Sequence, residues 1–87
     1  MASLNVSVVS ADREVWNGTA SQVIAKTVEG EIGILSGHEP LLALLAQGQV
    51  RVTTSTGEKV HVDAEGGFLS VDHDTITIVA GRAAPAA

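Results

Sequence analysis

Three histidines and one acidic trio are the residues of this chain whose types suit metal binding or acid–base chemistry. The histidines are His38, His61 and His73, and the trio is Asp72-His73-Asp74. Helical metal sites place two histidines four residues apart, and no pair here has that spacing. A small metal-dependent enzyme would need all three imidazoles around one point, which their positions on separate predicted strands or turns do not favour. The acidic trio between two apolar runs is typical of a solvated turn.

Two glycine-containing segments, Gly30-x-x-Gly33 and Gly66-Gly67, do not match the pattern of a phosphate-binding loop. Such a loop contains more glycines and continues through a Lys-Ser or Lys-Thr pair into a helix, which neither segment does. No serine lies in a nucleophile elbow. The residues therefore predict no catalytic site, no cofactor and no metal, and binding becomes the expected role of the chain.

The run from Gly30 to Leu42 is the most distinctive segment, because three glycines, one histidine and one proline interrupt an apolar stretch. Glycine reaches backbone angles that other residues avoid, and proline fixes φ and donates no hydrogen bond. This composition prescribes a shape and places His38 at a strand-to-turn junction. The favoured role of the His38 ring is a hydrogen bond to backbone that stiffens the loop, with contact to a partner subunit as the alternative. For catalysis, only Glu31 and Glu39 are near enough in sequence to orient that ring.

Charged and apolar side chains around this run each leave two interpretations open. Glu29, Glu31 and Glu39 form either a soluble rim or an acidic surface for a basic partner, where complementary charge sets register and association rate. The four leucines between positions 41 and 45 are most simply core residues, although so small a chain exposes some apolar side chains. If exposed, these leucines would form a patch of the kind that marks an interaction site.

Composition limits the chain to one small domain of pleated sheet. One domain is expected for 87 residues, and the 12 valines, 5 isoleucines and 7 threonines favour strands. The formal charge is −5 and the five basic residues are scattered, so the sequence predicts no surface that neutralises nucleic-acid phosphates. Because cysteine is absent from the sequence, neither disulfides nor thiolate metal sites are available.

Alternation of apolar and polar residues predicts about eight to ten short strands. The segments Leu4 to Val9 and Ser21 to Val28 are read as strands, and Asn17-Gly18 between them is a strong turn signal. Pro40 to Ala46 is expected to form a short, buried, partly irregular connection. The expected fold is all-β, a small antiparallel β-sandwich or flattened barrel over residues 1–81, followed by a flexible tail at 82–87.

The N-terminus and the longest apolar run predict neither a signal peptide nor a membrane-spanning segment. Residues 1–5 lack a basic segment and a long apolar segment, so no signal peptide is expected. The apolar run at 40–46 is far shorter than the roughly 20 residues that span a bilayer. Direct membrane insertion is therefore not expected, and any work at a membrane would depend on other proteins.

Several segments, in order, closely resemble the epsilon subunit of F-type ATP synthases. The run 30–42 resembles the signature of that family, and the segments 66–71 and 75–80 support it. Trp16-Asn17-Gly18 and the segment 48–52 match as well, so the resemblance covers nearly the whole chain. It implies the N-terminal β-sandwich domain of that family.

The resemblance implies a non-catalytic rotor subunit at the foot of the central stalk, which docks the gamma subunit onto the c-ring and couples proton flow to ATP synthesis. It also implies a peripheral location on the cytoplasmic face of the bacterial cell membrane, with no small-molecule substrate. The residues expected on the c-ring side are Glu29, Gly30, Glu31 and Gly33. The residues expected on the gamma side are Gly37, His38, Glu39 and Pro40. Glu31 would then meet basic residues of the c-subunit loops.

Two positions and the C-terminal end depart from the family pattern. Ser36 stands where proline is common, and Ser70 stands where an acidic residue is frequent. Family members usually continue into a two-helix domain that restrains ATP hydrolysis, and this sequence ends at Ala87 without it. A chain that couples the rotor without inhibiting hydrolysis is therefore expected. The alternative function is a free-standing β-sandwich module for a small ligand or peptide, with residues 41–45 as its patch.

Overall fold

Nine strands make up the computed structural model, which describes residues 3–10, 13–37 and 39–85. Within those ranges, no helix is long and apolar enough to cross a membrane. In chain order the strands are β1 (Leu4–Val9), β2 (Glu14–Thr27), β3 (Gly30–Leu35), β4 (Leu41–Leu44), β5 (Gly48–Thr54), β6 (Lys59–Glu65), β7 (Phe68–Asp72), β8 (Thr75–Val79) and β9 (Arg82–Pro85).

The strands join into one continuous sheet that folds into two layers at β2. This strand is 14 residues long; its first half pairs with β1, and its second half pairs with β3 and β5. One layer has the order β4-β7-β8-β1-β2, and the other has the order β3-β2-β5-β6-β9. The predicted all-β sandwich is confirmed.

One strand pair differs from the antiparallel arrangement that the sequence predicts. β1 and β8 are parallel, with Asn5 opposite Thr75 and Val9 opposite Val79, whereas the other pairs of named strands are antiparallel. Parallel neighbours need a long connection between them, and here most of the chain separates the two strands. Alternation within each strand carries no information about which distant strand lies beside it.

Alternate positions from both layers form a single hydrophobic core. Along β1, Leu4, Val6 and Val8 are buried, because successive side chains point to opposite faces of a strand. Ile34 of β3 and Ile76 of β8 belong to the same cluster, although they come from different layers. The inner faces of the two layers therefore pack against each other and leave two outward faces for contact with other molecules.

The predicted turn at Asn17-Gly18 is wrong, because β2 runs through both residues. Gly18 meets a packing requirement instead: a Cβ atom there would lie 2.9 Å from Cζ2 of Trp16. Side chains two residues apart share one face of a strand, so the missing side chain leaves room for the indole ring. Trp16 in turn packs against the core. A glycine that accommodates a ring has the same appearance in sequence as a glycine in a turn.

The predicted buried connection at 40–46 is also wrong. Leu41–Leu44 forms β4 and pairs with β7, so that Leu41 lies opposite Val71 and Leu44 opposite Phe68. The local preference of leucine and alanine for helix is overridden, because β7 offers this short segment backbone partners along its whole length.

The segment expected to be a flexible tail contains a strand over most of its length, and its flexibility stays a prediction. Arg82–Pro85 forms β9, which pairs with β6 at the edge of the sheet. Proline has no backbone N–H to donate and is tolerated on such an edge strand. Residues 86 and 87 lie outside the described ranges, and the expected domain boundary at residue 81 stays a prediction.

Left-handed backbone fixes the shape of the two connections that flank β7. His73 and Asp74 join β7 to β8 with φ values of 50° and 60°, the sign required at both centres of a type I′ turn. The predicted turn at 72–74 is therefore confirmed. Gly66 and Gly67, with φ values of 68° and 98°, carry the chain from β6 in one layer to β7 in the other. A Cβ atom on Gly67 would overlap the carbonyl oxygen of Val79, so this position requires glycine.

Candidate functional site

The residues predicted on the c-ring side lie in the hairpin that joins β2 to β3. Val28 and Glu29 form its two-residue loop between the paired residues Thr27 and Gly30, and we call residues 28–30 the hairpin tip. The Oγ1 atom of Thr27 donates a hydrogen bond to the carbonyl oxygen of Gly30 at 2.7 Å and accepts one from the amide of Glu29 at 3.2 Å. All three tip residues are exposed. One side chain therefore shapes a loop that projects its own residues into solvent.

The carboxylates near the tip differ in whether they have a partner within the chain. Oε2 of Glu31 lies 2.7 Å from Nη2 of Arg51, and Lys26 is opposite Glu31 in register. Because both members of the ion pair are largely exposed, it contributes only about 0.2–1 kcal/mol. Glu29 makes no ion pair with any described residue. Gly33, the remaining c-ring prediction, is exposed within β3. A basic partner would compete with Arg51 for Glu31 but would meet no such competitor at Glu29.

The residues predicted on the gamma side lie at the opposite end of β3, in the β3–β4 loop at residues 36–40. Gly37 has a φ of 87°, and Gly37, Glu39 and Pro40 are exposed. His38 lies outside the described residues, so its proposed contacts stay a prediction. Strands rise about 3.4 Å per residue, so the six residues of β3 separate this loop from the hairpin tip by about 17 Å. The tip and the loop thus lie at opposite ends of β3, and Glu31 and Gly33 lie along the strand between them.

Asp74 contacts the β3–β4 loop directly, although its sequence context indicates only a solvated turn. Its Oδ1 accepts a hydrogen bond from the amide of Gly37 at 2.7 Å, and its Oδ2 accepts one from Oγ of Ser36 at 3.0 Å. The backbone carbonyl of Asp74 accepts a third from the amide of Asn5 at 2.8 Å. Sequence reasoning missed this residue because no local pattern reports a contact between segments so far apart. Ser36, one of the two departures from the family pattern, supplies its hydroxyl here.

The outward faces of the two layers differ in charge. On β4, β7, β8 and β1 the outward side chains are apolar, hydroxyl or amide groups, and Asp72 at one end is the charged exception among the described positions. We call this surface the uncharged face; its other positions are Leu42, Leu44, Phe68, Ser70, Thr75, Thr77, Val79, Asn5, Ser7 and Val9. The outward side of β2, β3, β5 and β6 is the charged face; its charged side chains are Lys26, Glu31, Arg51, Lys59, Asp63 and Glu65.

An apolar row crosses the uncharged face. Leu44, Phe68, Val79 and Val9 are successive register partners on β4, β7, β8 and β1. Leu44 is 62% exposed, and Leu42, two residues earlier on the same side of β4, is 70% exposed. Contiguous exposed apolar surface of this kind marks interaction sites more often than scattered single residues do. The two interpretations of the leucine run both hold in part, since Leu42 and Leu44 form a patch whereas Leu45 belongs to the core.

β4 connects the two predicted contact regions. Pro40 immediately precedes its first residue, and at its other end the carbonyl oxygen of Leu44 accepts a hydrogen bond from the amide of Val28 in the hairpin tip at 3.0 Å. The backbone of Leu45 also bridges to Thr27. The uncharged face therefore extends without interruption from the β3–β4 loop to the hairpin tip.

The remaining titratable side chains form no catalytic arrangement in the described part of the chain. No group of three or more histidines and carboxylates there could hold a metal ion. His61 lies on β6, opposite Arg51. His73 lies in the β7–β8 turn, where its Nδ1 is 2.6 Å from Oδ1 of Asp72 and its side chain is 92% exposed. These two histidines are on different layers, and His38 is outside the described residues.

A surface cavity of about 380 Å³ lies apart from both predicted contact regions. Its lining comes from the start of β5, the end of β6 and the start of β9, and includes Asp63, Glu65 and Arg82. Glu65 and Arg82 face each other in register, so the charges of opposite sign are already adjacent. The cavity presents no aromatic side chain and no nucleophile beside a histidine.

Comparison with known proteins identifies the family to which this fold belongs. Residues 3–86 match the family described as the ATP synthase, Delta/Epsilon chain, beta-sandwich domain. The chain belongs to this family. The ATP synthase epsilon chain of Micrococcus luteus is 55% identical over 83 residues, which are 95% of this chain and 91% of that relative. The epsilon chain of Corynebacterium jeikeium is 51% identical over 84 residues, which are 95% of this chain and 68% of that relative.

A chain in a solved ATP synthase structure has the same fold. A chain in the cryo-EM structure of the Euglena gracilis mitochondrial ATP synthase, comprising OSCP, F1 and the c-ring, matches with a TM-score of 0.91 and 28% identity. The match covers 98% of this chain and 54% of that chain, so this chain spans about half of its length. The resemblance seen in the sequence is confirmed. As an epsilon-family member, the chain is a non-catalytic rotor subunit of a membrane-associated ATP synthase, and the comparisons give no support to a free-standing binding module.

Proposed function

We propose that this epsilon-family chain docks the gamma subunit onto the c-ring at the foot of the central stalk, and so couples proton flow to ATP synthesis. In this arrangement the hairpin tip and its flank, with Glu29, Gly30, Glu31 and Gly33, face the c-ring. The β3–β4 loop, with Gly37, His38, Glu39 and Pro40, faces the gamma subunit. The c-ring in the Euglena gracilis assembly supports the choice of that partner.

The observation that carries the proposal is the separation of two exposed contact regions by one short strand. A subunit that joins two partners needs two surfaces that do not obstruct each other, and β3 holds the tip and the loop at its opposite ends. The uncharged face continues from the loop across β4, so we assign Leu42, Leu44 and Phe68 to the gamma contact as well, and this extended contact meets the c-ring side where Leu44 adjoins Val28. Interface cores are depleted in charge and enriched in large apolar side chains, as this face is.

The proposed location is the cytoplasmic face of a bacterial cell membrane, held there by the partner subunits. The relatives from Micrococcus luteus and Corynebacterium jeikeium support a bacterial enzyme. The acidic tip suits a partner with basic loops, because complementary charge fixes the register of docking and speeds association.

Co-purification with the gamma subunit of the same organism, followed by sizing, tests the proposal. A one-to-one complex that survives gel filtration at micromolar concentration is the expected result. Adding the detergent-solubilised c-ring should then give a larger assembly. Its yield should exceed the yield obtained when the c-ring is mixed with this chain alone or with gamma alone. Failure to bind gamma at micromolar concentration would contradict the docking role while leaving family membership intact.

A further inference from the structure

A strained residue lies where the two layers meet beside the β3–β4 loop. Asp74 has a φ of 60° at the second centre of the β7–β8 turn, a backbone region that glycine occupies more easily than aspartate. Residues kept in such a conformation often serve a function that offsets the strain. The side chain of Asp74 is therefore expected to do something that glycine would not.

The carboxylate of Asp74 joins elements that are distant in sequence. Its two oxygens hold the amide of Gly37 and the hydroxyl of Ser36, at the end of β3 in one layer. Its own backbone sits in the other layer, fixed by the hydrogen bond from the amide of Asn5. Asp74 thus ties the first two residues of the β3–β4 loop to the rigid turn between β7 and β8. Hydrogen bonds to a charged acceptor are among the stronger ones available to a protein.

We infer that Asp74 is a positioning residue for the gamma contact, which it supports by holding the β3–β4 loop in its docking conformation without touching the partner. The inference rests on the proposed assignment of that loop to the gamma interface. A loop that is already ordered loses less entropy when it binds, so the tie raises affinity by preorganisation. Gly37 has a positive φ of its own, and without the carboxylate its flexible backbone would sample many orientations of the residues that follow.

Three variants of the full chain separate this role from a merely structural one. Asp74→Gly removes the carboxylate and relieves the left-handed strain, so the fold should be retained. Asp74→Asn keeps an acceptor for the Gly37 amide, offers an N–H to the Ser36 hydroxyl and tolerates the same φ. His73→Gly is the matched control, because it changes the neighbouring left-handed residue, whose side chain is 92% exposed.

The experiment measures the Kd of each variant for the purified gamma subunit, together with the exchange rate of the Gly37 amide proton by NMR. We expect Asp74→Gly to weaken gamma binding by about tenfold and to speed exchange at Gly37, since a fraction of the molecules no longer holds the competent loop. Asp74→Asn should restore the affinity to within about threefold of the starting chain, and His73→Gly should leave it unchanged. Affinity restored by Asp74→Asn would show that the weaker binding of Asp74→Gly comes from loss of the tie to the loop.

Two results would overturn the inference, and they are distinguishable. If the unaltered chain binds gamma and folded Asp74→Gly binds equally well, the loop needs no tie and only this inference fails. If the unaltered chain does not bind gamma at all, the proposed function fails first and the inference falls with it.

Discussion

The two outward faces of this sandwich are built from strands with the same alternation of buried and exposed residues, yet they differ in the charge of their side chains. The charged face holds Glu31 and Arg51 as an exposed ion pair, and it also exposes Leu35. The uncharged face exposes Leu42 and Leu44 and has Asp72 as its charged exception among the described outward positions. Folding requires only that the inner faces be apolar, so the core does not account for the contrast between the outer faces, whereas the proposed gamma contact does.

The same contrast appears at the two ends of β3. At one end, the hairpin tip offers Glu29 without an ion-pair partner among the described residues. At the other end, the carboxylate of Asp74 is fully engaged in holding the β3–β4 loop. One acid is thus available to attract a partner and the other organises the surface that meets one. Under the proposed function, this difference favours electrostatic recognition at the tip and shape-based recognition at the loop and the uncharged face.

Replacing Gly67 by alanine should have the largest effect. This residue lies in the connection between β6, which carries part of the charged face, and β7, which carries part of the uncharged face. A Cβ atom would overlap the carbonyl oxygen of Val79, and alanine is also disfavoured at a φ of 98°. Strain and overpacking together should lower the free energy of unfolding by about 2–5 kcal/mol, measured by urea denaturation. Gly66→Ala is the matched control, since its Cβ would meet nothing within 4 Å, and it should cost about 1–2 kcal/mol. Equal losses would show that the connection is not fixed by this contact.

Introducing a charge on the uncharged face should have the next largest effect. Leu44→Asp should weaken gamma binding by about 100-fold, because an apolar contact is lost and a charge is buried without a partner. The fold should be retained, since Leu44 is 62% exposed. Calorimetric titration with gamma measures the Kd, and Gln49→Asp on the charged face is the control expected to stay within about threefold. If Gln49→Asp weakened gamma binding more than Leu44→Asp, the gamma contact would lie on the charged face instead.

Reversing the charge at the tip should have an intermediate effect that is confined to the c-ring. Glu29→Lys and Glu31→Lys should each weaken docking to the c-ring by about five- to tenfold while changing gamma binding less, because like charges would then face each other. The assay compares capture of the chain by immobilised c-ring with capture by immobilised gamma. The effect should fall as salt is raised, since exposed charges are screened. Equal loss toward both partners would mean that the tip does not face the ring.

Breaking the ion pair on the charged face should have the smallest effect. Arg51→Ala removes the partner of Glu31, and both side chains are too exposed for the pair to be strong. The free energy of unfolding should change by less than about 1 kcal/mol, and gamma binding should not change measurably. Thermal unfolding and the same calorimetric titration check this. A loss of gamma binding would place the charged face in the gamma interface, and the two outward faces would then not differ in their role.

Much of the fold follows from local patterns in the sequence. The segment Leu4–Val9 is a strand with the bounds that the alternation of Leu4, Val6 and Val8 predicts. The acidic trio at 72–74 contains the turn between β7 and β8, as its residue types indicate. These features depend on side-chain period and backbone freedom, which neighbouring residues determine.

The features that local patterns missed all depend on distant partners. β4 exists because β7 lies beside it, and leucine and alanine alone would favour a helix. Gly18 has the residue type of a turn, but in the structure it leaves room for the ring of Trp16. Asp74 resembles a solvated acid until the β3–β4 loop is seen to fold back onto it. The candidate contact residues themselves came from resemblance to a family, and the physical contrast between the two faces became visible only in three dimensions.

The most direct test of the account is the protection of single cysteines by the gamma subunit. The chain contains no cysteine, so Leu42→Cys and His61→Cys each place one thiol, on the uncharged face and on the charged face respectively. Maleimide labelling of this chain, followed by mass spectrometry, reports the exposure of each thiol with and without gamma. The account predicts that gamma slows labelling of Leu42→Cys by about tenfold or more, because an interface core excludes water, and leaves His61→Cys unchanged. Protection of His61→Cys with free labelling of Leu42→Cys would contradict it.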